Sequence, residues 1–406
     1  MVYLFAWRYF KARKSTNAIN IIAWVSMVAI IVITAAFIVL LSVFNGFEGL
    51  VKSLYSSFYS DIRVVPVEGK RMSVTPMQLS RMRVIPGIAD YSMTIEEKSL
   101  LQNGEVQAIV YLKGVDNNYL KVSGVSDKII RGSFSVGTPE EPAIVLGSGV
   151  ENALHVYADQ NIYPITAYLF KPGVNINVID PLQAFSADNL NTSGTFYIQQ
   201  DIDNKYAITS LSFMQEMLGL KPDEFGSIEI RLNGLESESE VKTALQKIFG
   251  PTMAVETRYE QNKSLYSVMN LEKYAIYGIL TLMLIVAAFT MIGALSMLVL
   301  EKTEDIQVLK SLGADRRLIY RIFLSEGMLL GIIGAVSGTL IALLICWAQV
   351  KFQLVPIAGG TFLISYYPVE VRARDILIVL FTVLAIALAA SWLPARKAAA
   401  TAISKV

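Results

Sequence analysis

The sequence has very little cysteine and histidine: Cys346 and His155 are the only examples among its 406 residues. One cysteine excludes an internal disulfide and argues against a cysteine-based zinc site, and one histidine argues against a histidine-rich metal centre. Charged residues are also scarce, at 17% of the chain against about a quarter in soluble domains, whereas 53% of the residues are apolar. This composition argues against an ordinary cytosolic enzyme.

Two further classes are excluded by charge balance and by a missing motif. Lys plus Arg number 35 and Asp plus Glu number 34, so the chain lacks the basic surface of a nucleic-acid binder, and no nucleic-acid partner is expected. The pattern G-x-x-x-x-G-K-[ST] is absent, so the chain does not hold ATP phosphates in a P-loop. No catalytic residue, cofactor or metal ligand is expected in this chain.

Four long apolar runs contain no charged residue, at residues 21–44, 274–300, 327–350 and 376–393. About 18 apolar residues suffice to cross a bilayer as a helix, so each run predicts a transmembrane span. The first run is longer than the roughly 7–15-residue apolar region of a signal peptide, which predicts an uncleaved anchor. Because ion-coupled carriers place ionisable groups inside the membrane, a self-powered carrier is disfavoured.

Basic residues predict the orientation of the four spans. They cluster before the first span, between the second and third spans, and in the tail, at Arg8, Lys11, Arg13, Lys14, Lys302, Lys310, Arg316, Arg317, Arg321, Arg396, Lys397 and Lys405. With four spans these three segments share one side, which the positive-inside rule identifies as the cytoplasm. Both termini are therefore predicted to be cytoplasmic, and residues 45–273 to lie outside.

The outer segment is predicted to be a mixed α/β domain. Stretches rich in β-branched and aromatic residues predict strands at 61–67, 107–115, 143–146, 162–169, 196–200 and 228–232. A capping box at Ser237 and Glu240 begins a helix that Gly250 ends, and a shorter helix is predicted at 212–218. Residues 256–270 are predicted to be helical and to continue into the second span as a stalk. The predicted fold is a membrane protein with four transmembrane α-helices and a large mixed α/β periplasmic domain inserted between helices 1 and 2.

The predicted segments follow one another along the chain. They are a cytoplasmic or interfacial N-terminal helix (1–18), the first span (19–45), the periplasmic domain with its stalk (46–270), the second span (271–300), a cytoplasmic coupling-helix loop (301–318), the third span (319–350), a short periplasmic loop (351–375), the fourth span (376–395) and a cytoplasmic tail (396–406). For the N-terminal segment, a plain basic flank fits the sequence as well as an interfacial helix does.

The loop between the second and third spans contains a short amphipathic pattern. Thr303 is predicted to cap a helix in which Ile306, Leu309 and Lys310 are spaced i, i+3, i+4. Leu312 lies nearby, so one apolar edge is presented. Gly313 suits the left-handed position after the helix, and Asp315 is predicted to cap the next one. A solvated loop would also fit, but the apolar edge favours a helix that docks in a groove of a partner.

The third span carries a stripe of small residues. Gly327, Gly331, Gly334 and Gly338 are spaced i, i+4, i+7, i+11, which places them on one face of a helix. Glycine on such a face lets a second helix approach closely, and the alanine-rich fourth span offers a matching surface.

Several segments resemble a known family. They include AWRYFKARK (6–14), LSVFNGFE (41–48), SGTFYIQQDID (193–203), EKTEDIQVLKSLGA (301–314) and SWLPARKAA (391–399). In these segments the chain resembles the membrane subunits of lipoprotein-releasing (LolC/LolE-type) ABC transporters, within the MacB/FtsX-like permease superfamily. The resemblance implies a permease in the bacterial inner membrane that extracts lipoproteins and passes them to a periplasmic carrier.

The resemblance also implies the partners. These are two separate ABC ATPase subunits, which hold ATP and Mg, a second permease subunit that is either a copy or a paralogue, the lipoprotein cargo, the periplasmic carrier and membrane lipid. The family docks its ATPase on the helix between spans two and three, which here matches Ile306, Leu309, Lys310, Gly313 and Ala314.

Two further sites follow from the resemblance. The family's lipid cavity lies between spans one and two, and the residues matching it are Leu40, Val43, Phe44, Phe47, Leu271, Tyr274, Ile276 and Ile279. Ordinary contacts with lipid or within the bundle would also explain these side chains. Residues 170–189 occupy the place of an external hook that catches the carrier, and the choice between a carrier-binding and a cargo-binding subunit stays open.

The resemblance to the superfamily also allows two other functions. An FtsX-like mechanotransmitter would pass ATPase strokes to a periplasmic cell-wall hydrolase without moving cargo, and a MacB-like exporter would work with an outer-membrane duct. FtsX-type chains have a smaller external domain than residues 45–273 provide, and MacB-type chains carry a fused ATPase. Both comparisons favour lipoprotein release.

Overall fold

The computed structural model describes residues 17–158, 163–171, 184–234, 236–357 and 366–401. The chain divides into two compact units. The helical unit comprises the residues up to Leu50 and those from Ser267 onward, apart from a few in its last loop, and the sheet unit comprises Val51–Tyr266. The predicted N-terminal helix at 1–18 lies almost wholly outside the described residues, and so does the centre of the predicted hook.

The helices follow one another along the chain as α1 (Asn17–Phe58), α2 (Pro76–Arg83), α3 (Tyr119–Val122), α4 (Ser148–Ala153), α5 (Gln200–Asp203), α6 (Leu211–Leu218), α7 (Glu238–Phe249), α8 (Arg258–Gln261), α9 (Lys263–Glu301), α10 (Thr303–Ser311), α11 (Arg316–Phe352) and α12 (Ala373–Thr401). Of these described helices, α1, α9, α11 and α12 are long and apolar enough to cross a membrane. Each contains one of the four predicted runs and extends beyond it, because polar residues at both ends continue the helix.

The strands are β1 (Ile62–Pro66), β2 (Met72–Ser73), β3 (Ile88–Asn103), β4 (Val106–Val115), β5 (Ile129–Gly132), β6 (Ala143–Gly147), β7 (Ile165–Phe170), β8 (Phe185–Phe196), β9 (Tyr206–Ser210), β10 (Glu224–Phe225), β11 (Ser227–Leu232) and β12 (Met253–Thr257). Within the described residues, ten of them form one sheet in the order β12-β1-β11-β3-β4-β9-β6-β8-β5, and β7 pairs with β3 and β8. The β4–β9 and β6–β8 pairs are parallel and the others are antiparallel. The sheet is therefore mixed, as expected for an α/β domain.

The core of the sheet unit lies between the sheet and the helices that cover it. Helix α6 approaches β4 so closely that a Cβ at Gly114 would lie 2.9 Å from Cβ of Met214. Helix α7 begins at the predicted capping box of Ser237 and Glu240 and ends at Gly250. Its side chains Val241, Leu245 and Phe249 are buried in the same core. The amphipathic stripe read from the sequence is therefore the face that packs.

Two local predictions for the sheet unit are wrong. The stretch 196–200 is not a strand, because β8 ends at Phe196 and Gln200 begins α5. The Asp203 carboxylate accepts the Ile198 N–H at 2.9 Å, which draws the chain into a turn. The stalk is not continuous from residue 256, because β12 runs to Thr257 and the backbone at Asn262 leaves helical geometry before α9 begins.

The glycine stripe of α11 meets α12 and α1, and at Gly327 it also meets the Leu295 side chain of α9. Gly327 and Gly331 face α12, and a Cβ at Gly331 would lie 2.5 Å from Cβ of Ala387. Gly334 and Gly338 face α1, and a Cβ at Gly338 would lie 2.7 Å from the carbonyl oxygen of Ile31. The predicted fourth-span surface therefore accounts for half of the stripe. The first span accounts for the other half because α1, α9, α11 and α12 pack around a shared buried core.

Gly331→Leu is expected to lower the free energy of unfolding by about 1–3 kcal/mol, because the added side chain must displace the backbone of α12. Thermal unfolding of the detergent-solubilised protein measures this change. Gly293→Leu in α9 is the matched control, since nothing lies within 4 Å of a Cβ at Gly293. Equal unfolding temperatures for the two variants would contradict the close packing described here.

Candidate functional site

Helix α10 is anchored at one position and exposed along another edge. Ile306 is only 3% exposed and packs in a cluster whose other buried members are Leu298, Val299, Ile319, Phe323, Ala395 and Ala398. These residues belong to α9, α11 and α12, so α10 is seated on the ends of three long helices. A displacement of α10 therefore acts on all three helices through a packed contact.

The exposed apolar edge of α10 differs from the predicted one. Ile306 is not available to a partner, because it packs against residues of α9, α11 and α12. Val308 is 59% exposed and Leu312 is 79% exposed. Leu309 is half-buried, and Lys310 is exposed. The side chains available to a partner are therefore Val308 and Leu312, flanked by Leu309 and Lys310, and we call these four residues the docking edge.

The turn after α10 has the predicted geometry, but the first residue of α10 differs from the prediction. Thr303 is the first helical residue rather than the cap, and its hydroxyl donates to the Leu300 carbonyl at 2.6 Å. Gly313 has a φ of 90° and is exposed, as the left-handed position after the helix requires, and Ala314 is half-buried beside it. Asp315 accepts the Leu318 N–H at 2.9 Å and caps α11. The turn thus fixes the docking edge relative to the third span.

The residues predicted to line a lipid cavity are all exposed or half-buried. Leu40, Leu271, Tyr274 and Ile279 are exposed, and Val43, Phe44, Phe47 and Ile276 are half-buried. A cavity of about 500 Å³ opens beside them, and Tyr274 is the one member of this set that lines it. We call it the outer cavity; its lining residues are Leu41, Asn270, Lys273, Tyr274, Tyr277, Arg372, Arg374, Asp375 and Ile378.

A buried amide joins three helices at the outer cavity. Asn45, at the predicted end of the first span, is fully buried and donates to the Asp375 carboxylate at 2.6 Å. Lys273 of α9 donates to Asn45 Oδ1 at 2.9 Å, and its ammonium lies 3.7 Å from the Asp375 carboxylate. We call Asn45, Lys273 and Asp375 the outer latch. Each side chain bonds to the other two, so the latch ties α1, α9 and α12 together.

The loop before α12 is tied to α1 next to the latch. Arg372 lies 3.0 Å from the Glu48 carboxylate and 2.9 Å from that of Glu370. The hydrogen bond to Glu370 raises the pKa of Arg372, and the charge of Glu48 raises it further. The Glu370 N–H donates to the carbonyl of Ser42, and a Cβ at Gly46 would overlap the backbone of Pro368. Only glycine at position 46 therefore permits this approach.

The contacts of the outer latch are not predictable from the sequence, although one segment contains several of the residues involved. Asn45, Gly46 and Glu48 all lie in LSVFNGFE, a segment that carries the family resemblance. Their partners are more than 200 residues away along the chain. Without the fold, these residues are only the polar boundary of an apolar run.

Asn45→Leu is expected to lower the free energy of unfolding by about 1–3 kcal/mol, because it leaves Lys273 and Asp375 without their shared buried partner. Chemical or thermal unfolding of the solubilised protein measures the loss. The control is Asn270→Leu, which changes an exposed amide of the same cavity and is expected to move the value by less than about 0.5 kcal/mol. A latch without structural importance would give the two variants the same stability.

The sheet unit contains a buried ion pair. Lys113 and Glu229 are 3% and 6% exposed and lie 2.7 Å apart. The Lys113 ammonium also lies 4.7 Å from the ring centre of Phe58 and 5.0 Å from that of Tyr119. Burial alone would lower the pKa of Lys113, but the surrounding carboxylates, Glu229 above all, raise it above its usual value. Burial raises the pKa of Tyr119 to about 12. The lysine therefore stays charged and the tyrosine neutral at physiological pH.

No group of three or more His, Cys, Asp or Glu side chains suited to a metal ion occurs in the described part of the chain. The features described for the helical unit are contact surfaces: the apolar docking edge, the polar outer latch and the outer cavity.

Comparisons with known proteins cover both units. The family described as MacB-like periplasmic core domain matches residues 23–248, and the family described as FtsX-like permease C-terminal matches residues 277–403. The first match spans more than half of the chain.

Full-length relatives carry a more specific description. The chain is 25% identical to "Lipoprotein-releasing system transmembrane protein LolC" of Neisseria meningitidis, over 99% of this chain and 98% of that protein. It is also 25% identical to "Lipoprotein-releasing system transmembrane protein LolE" of Haemophilus influenzae, over 98% of this chain and 96% of that protein. Among solved structures, the periplasmic region of MacB from Actinobacillus actinomycetemcomitans aligns with a TM-score of 0.36 and 10% identity, covering 54% of this chain and 98% of that one.

Proposed function

Because the chain belongs to the MacB/FtsX-like permease family and is of the LolC/LolE type, we propose that it is the membrane subunit of an ABC transporter that extracts lipoproteins from the inner membrane. It is a multi-pass permease without an enzymatic site, and ATP hydrolysis belongs to a separate ATPase subunit. The observation that carries the proposal is the match to LolC and LolE relatives over nearly the full length of both chains.

The finer parts of the proposal concern orientation and partners. Residues 45–273 form a periplasmic domain between the first two spans, and both termini are cytoplasmic, as the basic residues support. Two ATPase subunits, with their ATP and Mg, dock at α10, and a second permease subunit completes the complex. A periplasmic carrier receives the lipoprotein.

The proposed mechanism is mechanical. ATPase closure displaces the docking edge, and the buried contact of Ile306 passes the displacement to α9, α11 and α12. The outer latch joins α9 and α12 to α1 at the other end of the helical unit. Motion that begins at the cytoplasmic end is thus delivered to all of the helices that carry the outer segments of the chain.

Depletion of the protein in its host tests this function. Outer-membrane lipoproteins are expected to accumulate in the inner-membrane fraction, as followed by membrane separation and immunoblotting. A lipoprotein that normally stays in the inner membrane serves as the control and is expected not to change. Unaltered sorting after depletion, with a defect in cell-wall cleavage instead, would refute lipoprotein release and favour an FtsX-like mechanotransmitter.

A further inference from the structure

A second and larger cavity lies on the helical unit between α9 and α12. Its volume is about 890 Å³, and it shares Tyr277, Arg374 and Ile378 with the outer cavity. The two spaces are therefore adjacent, and Arg374 stands where they meet. We call the larger one the α9–α12 groove; its other lining residues include Ile285, Leu377, Phe381, Ala385 and Ile386.

The wall of the groove is apolar below Arg374. Its hydroxyl groups belong to Tyr277, Thr281 and Thr382. Tyr277 and Thr382 hydrogen-bond to each other across the groove, and Thr382 also donates to the Ile378 carbonyl at 2.8 Å. These two hydroxyls are thus satisfied within the protein, whereas the Thr281 hydroxyl is buried without a hydrogen-bond partner among the described residues. The remaining lining side chains apart from Arg374 are apolar and suit a hydrocarbon chain.

The charges beside the groove balance in number, but one basic side chain among them has no carboxylate partner among the residues that the structure describes. Lys273 and Arg372 are engaged by the carboxylates of Asp375, Glu48 and Glu370. Arg374 is exposed and forms no ion pair with any residue in the described ranges. A guanidinium in this position is free to hold a phosphate through two parallel hydrogen bonds.

The length of the groove fits one leaflet of a bilayer. Its lining on α12 runs from Arg374 to Ile386, which is about 18 Å at the helical rise of about 1.5 Å per residue. Half of the roughly 30 Å hydrocarbon core is about 15 Å. A lipid whose phosphate sits at Arg374 therefore places an acyl chain along the whole groove.

From the volume, the apolar wall, the unpaired arginine and the length, we propose that the α9–α12 groove binds an anionic phospholipid. The phosphate is held by Arg374, and one acyl chain lies against Ile285, Phe381 and Ile386. This site is separate from the cavity between spans one and two that the family resemblance implies for cargo. It holds a resident lipid between two of the helices that the outer latch connects.

The test uses the full-length protein in nanodiscs made from equal amounts of phosphatidylglycerol and phosphatidylcholine. After mild detergent extraction, native mass spectrometry counts the lipids that stay bound. The wild-type protein is expected to retain phosphatidylglycerol over phosphatidylcholine, because choline neutralises the phosphate of the second lipid whereas the first keeps a net negative charge for Arg374 to pair with. Arg374→Gln is expected to reduce that preference about ten-fold, since the charge that distinguishes the two headgroups is lost. Ala385→Leu, which fills the groove, is expected to reduce retention of the same lipid.

The control is Lys351→Gln, which removes an exposed basic residue from the last turn of α11 and lines neither cavity. It is expected to retain phosphatidylglycerol as the wild type does, and unfolding temperatures verify that all variants are folded. Equal retention of the two lipids by the wild type, or an unchanged preference in Arg374→Gln, would overturn the proposal. Displacement of phosphatidylglycerol by a triacylated lipopeptide that lacks phosphate would also overturn it, because the groove would then hold cargo.

Discussion

Replacing Leu312 by aspartate is expected to reduce lipoprotein release at least about ten-fold while the protein stays folded and inserted. Leu312 is the most exposed apolar member of the docking edge, so an aspartate there stays in water and does not destabilise the free chain. In the complex with the ATPase, an unpaired carboxylate in an apolar contact costs several kcal/mol, and about 1.4 kcal/mol already corresponds to ten-fold weaker binding. Co-purification of the ATPase and release of labelled lipoprotein measure the two consequences.

Two variants on the same helix separate docking from stability. Gln307→Asp adds the same charge at an exposed position off the docking edge and is expected to leave release within about two-fold of wild type. Ile306→Asp buries its charge in the seat of α10 and is expected to lower the unfolding temperature and the amount of protein. If Leu312→Asp retained the ATPase and full release, α10 would not be the contact.

Replacing Lys113 by methionine is expected to destabilise the sheet unit by about 3–5 kcal/mol, because it leaves the Glu229 carboxylate buried without its partner. A loss of this size is a large part of the stability of an ordinary domain. The double variant Lys113→Met/Glu229→Leu is expected to recover most of it, since apolar residues of similar volume often replace a buried pair without loss. Denaturant unfolding followed by circular dichroism measures the three variants.

The exposed pair Lys205 and Asp201, 3.6 Å apart, provides the control for that series. Lys205→Met is expected to change the free energy of unfolding by less than about 1 kcal/mol, as exposed ion pairs contribute little. If Lys113→Met were equally mild, the ion pair would not be an essential part of the core. If the double variant were no better than the single one, the loss would come from the lysine stem and not from the stranded charge.

The apolar runs and the caps at Ser237 and Asp315 could be read from the sequence because both depend on neighbouring residues. Ser237 caps α7 and Asp315 caps α11 through bonds to backbone groups three residues away. The strand β3 could not be found in this way. Its alternation of polar and apolar residues is broken by charged side chains, the half-buried Asp90, Glu96 and Glu97 and the exposed Lys98. Its strand character comes from pairing with β4, β7 and β11.

The candidate sites also combine features that depend on neighbouring residues with features that depend on the fold. The position of α10 was predictable from a local pattern, but its exposed edge was not, because the orientation of Ile306 depends on α9, α11 and α12. Lys113 lies in a strand whose pattern predicts a solvent-facing lysine, and only the covering residues Tyr119 and Phe58 bury it. The outer latch required the fold itself, since Asn45 and Asp375 are 330 residues apart.

The most direct measurement of the proposed function is release from a defined membrane. Proteoliposomes would contain this chain, its partner permease and ATPase subunits, and a fluorescent triacylated lipoprotein, with the periplasmic carrier in the surrounding solution. ATP is expected to drive transfer of the lipoprotein to the carrier with the wild-type chain and with Gln307→Asp, and Leu312→Asp is expected to stop the transfer. Hydrolysis of ATP by the wild-type complex without any transfer would contradict the function proposed for this protein.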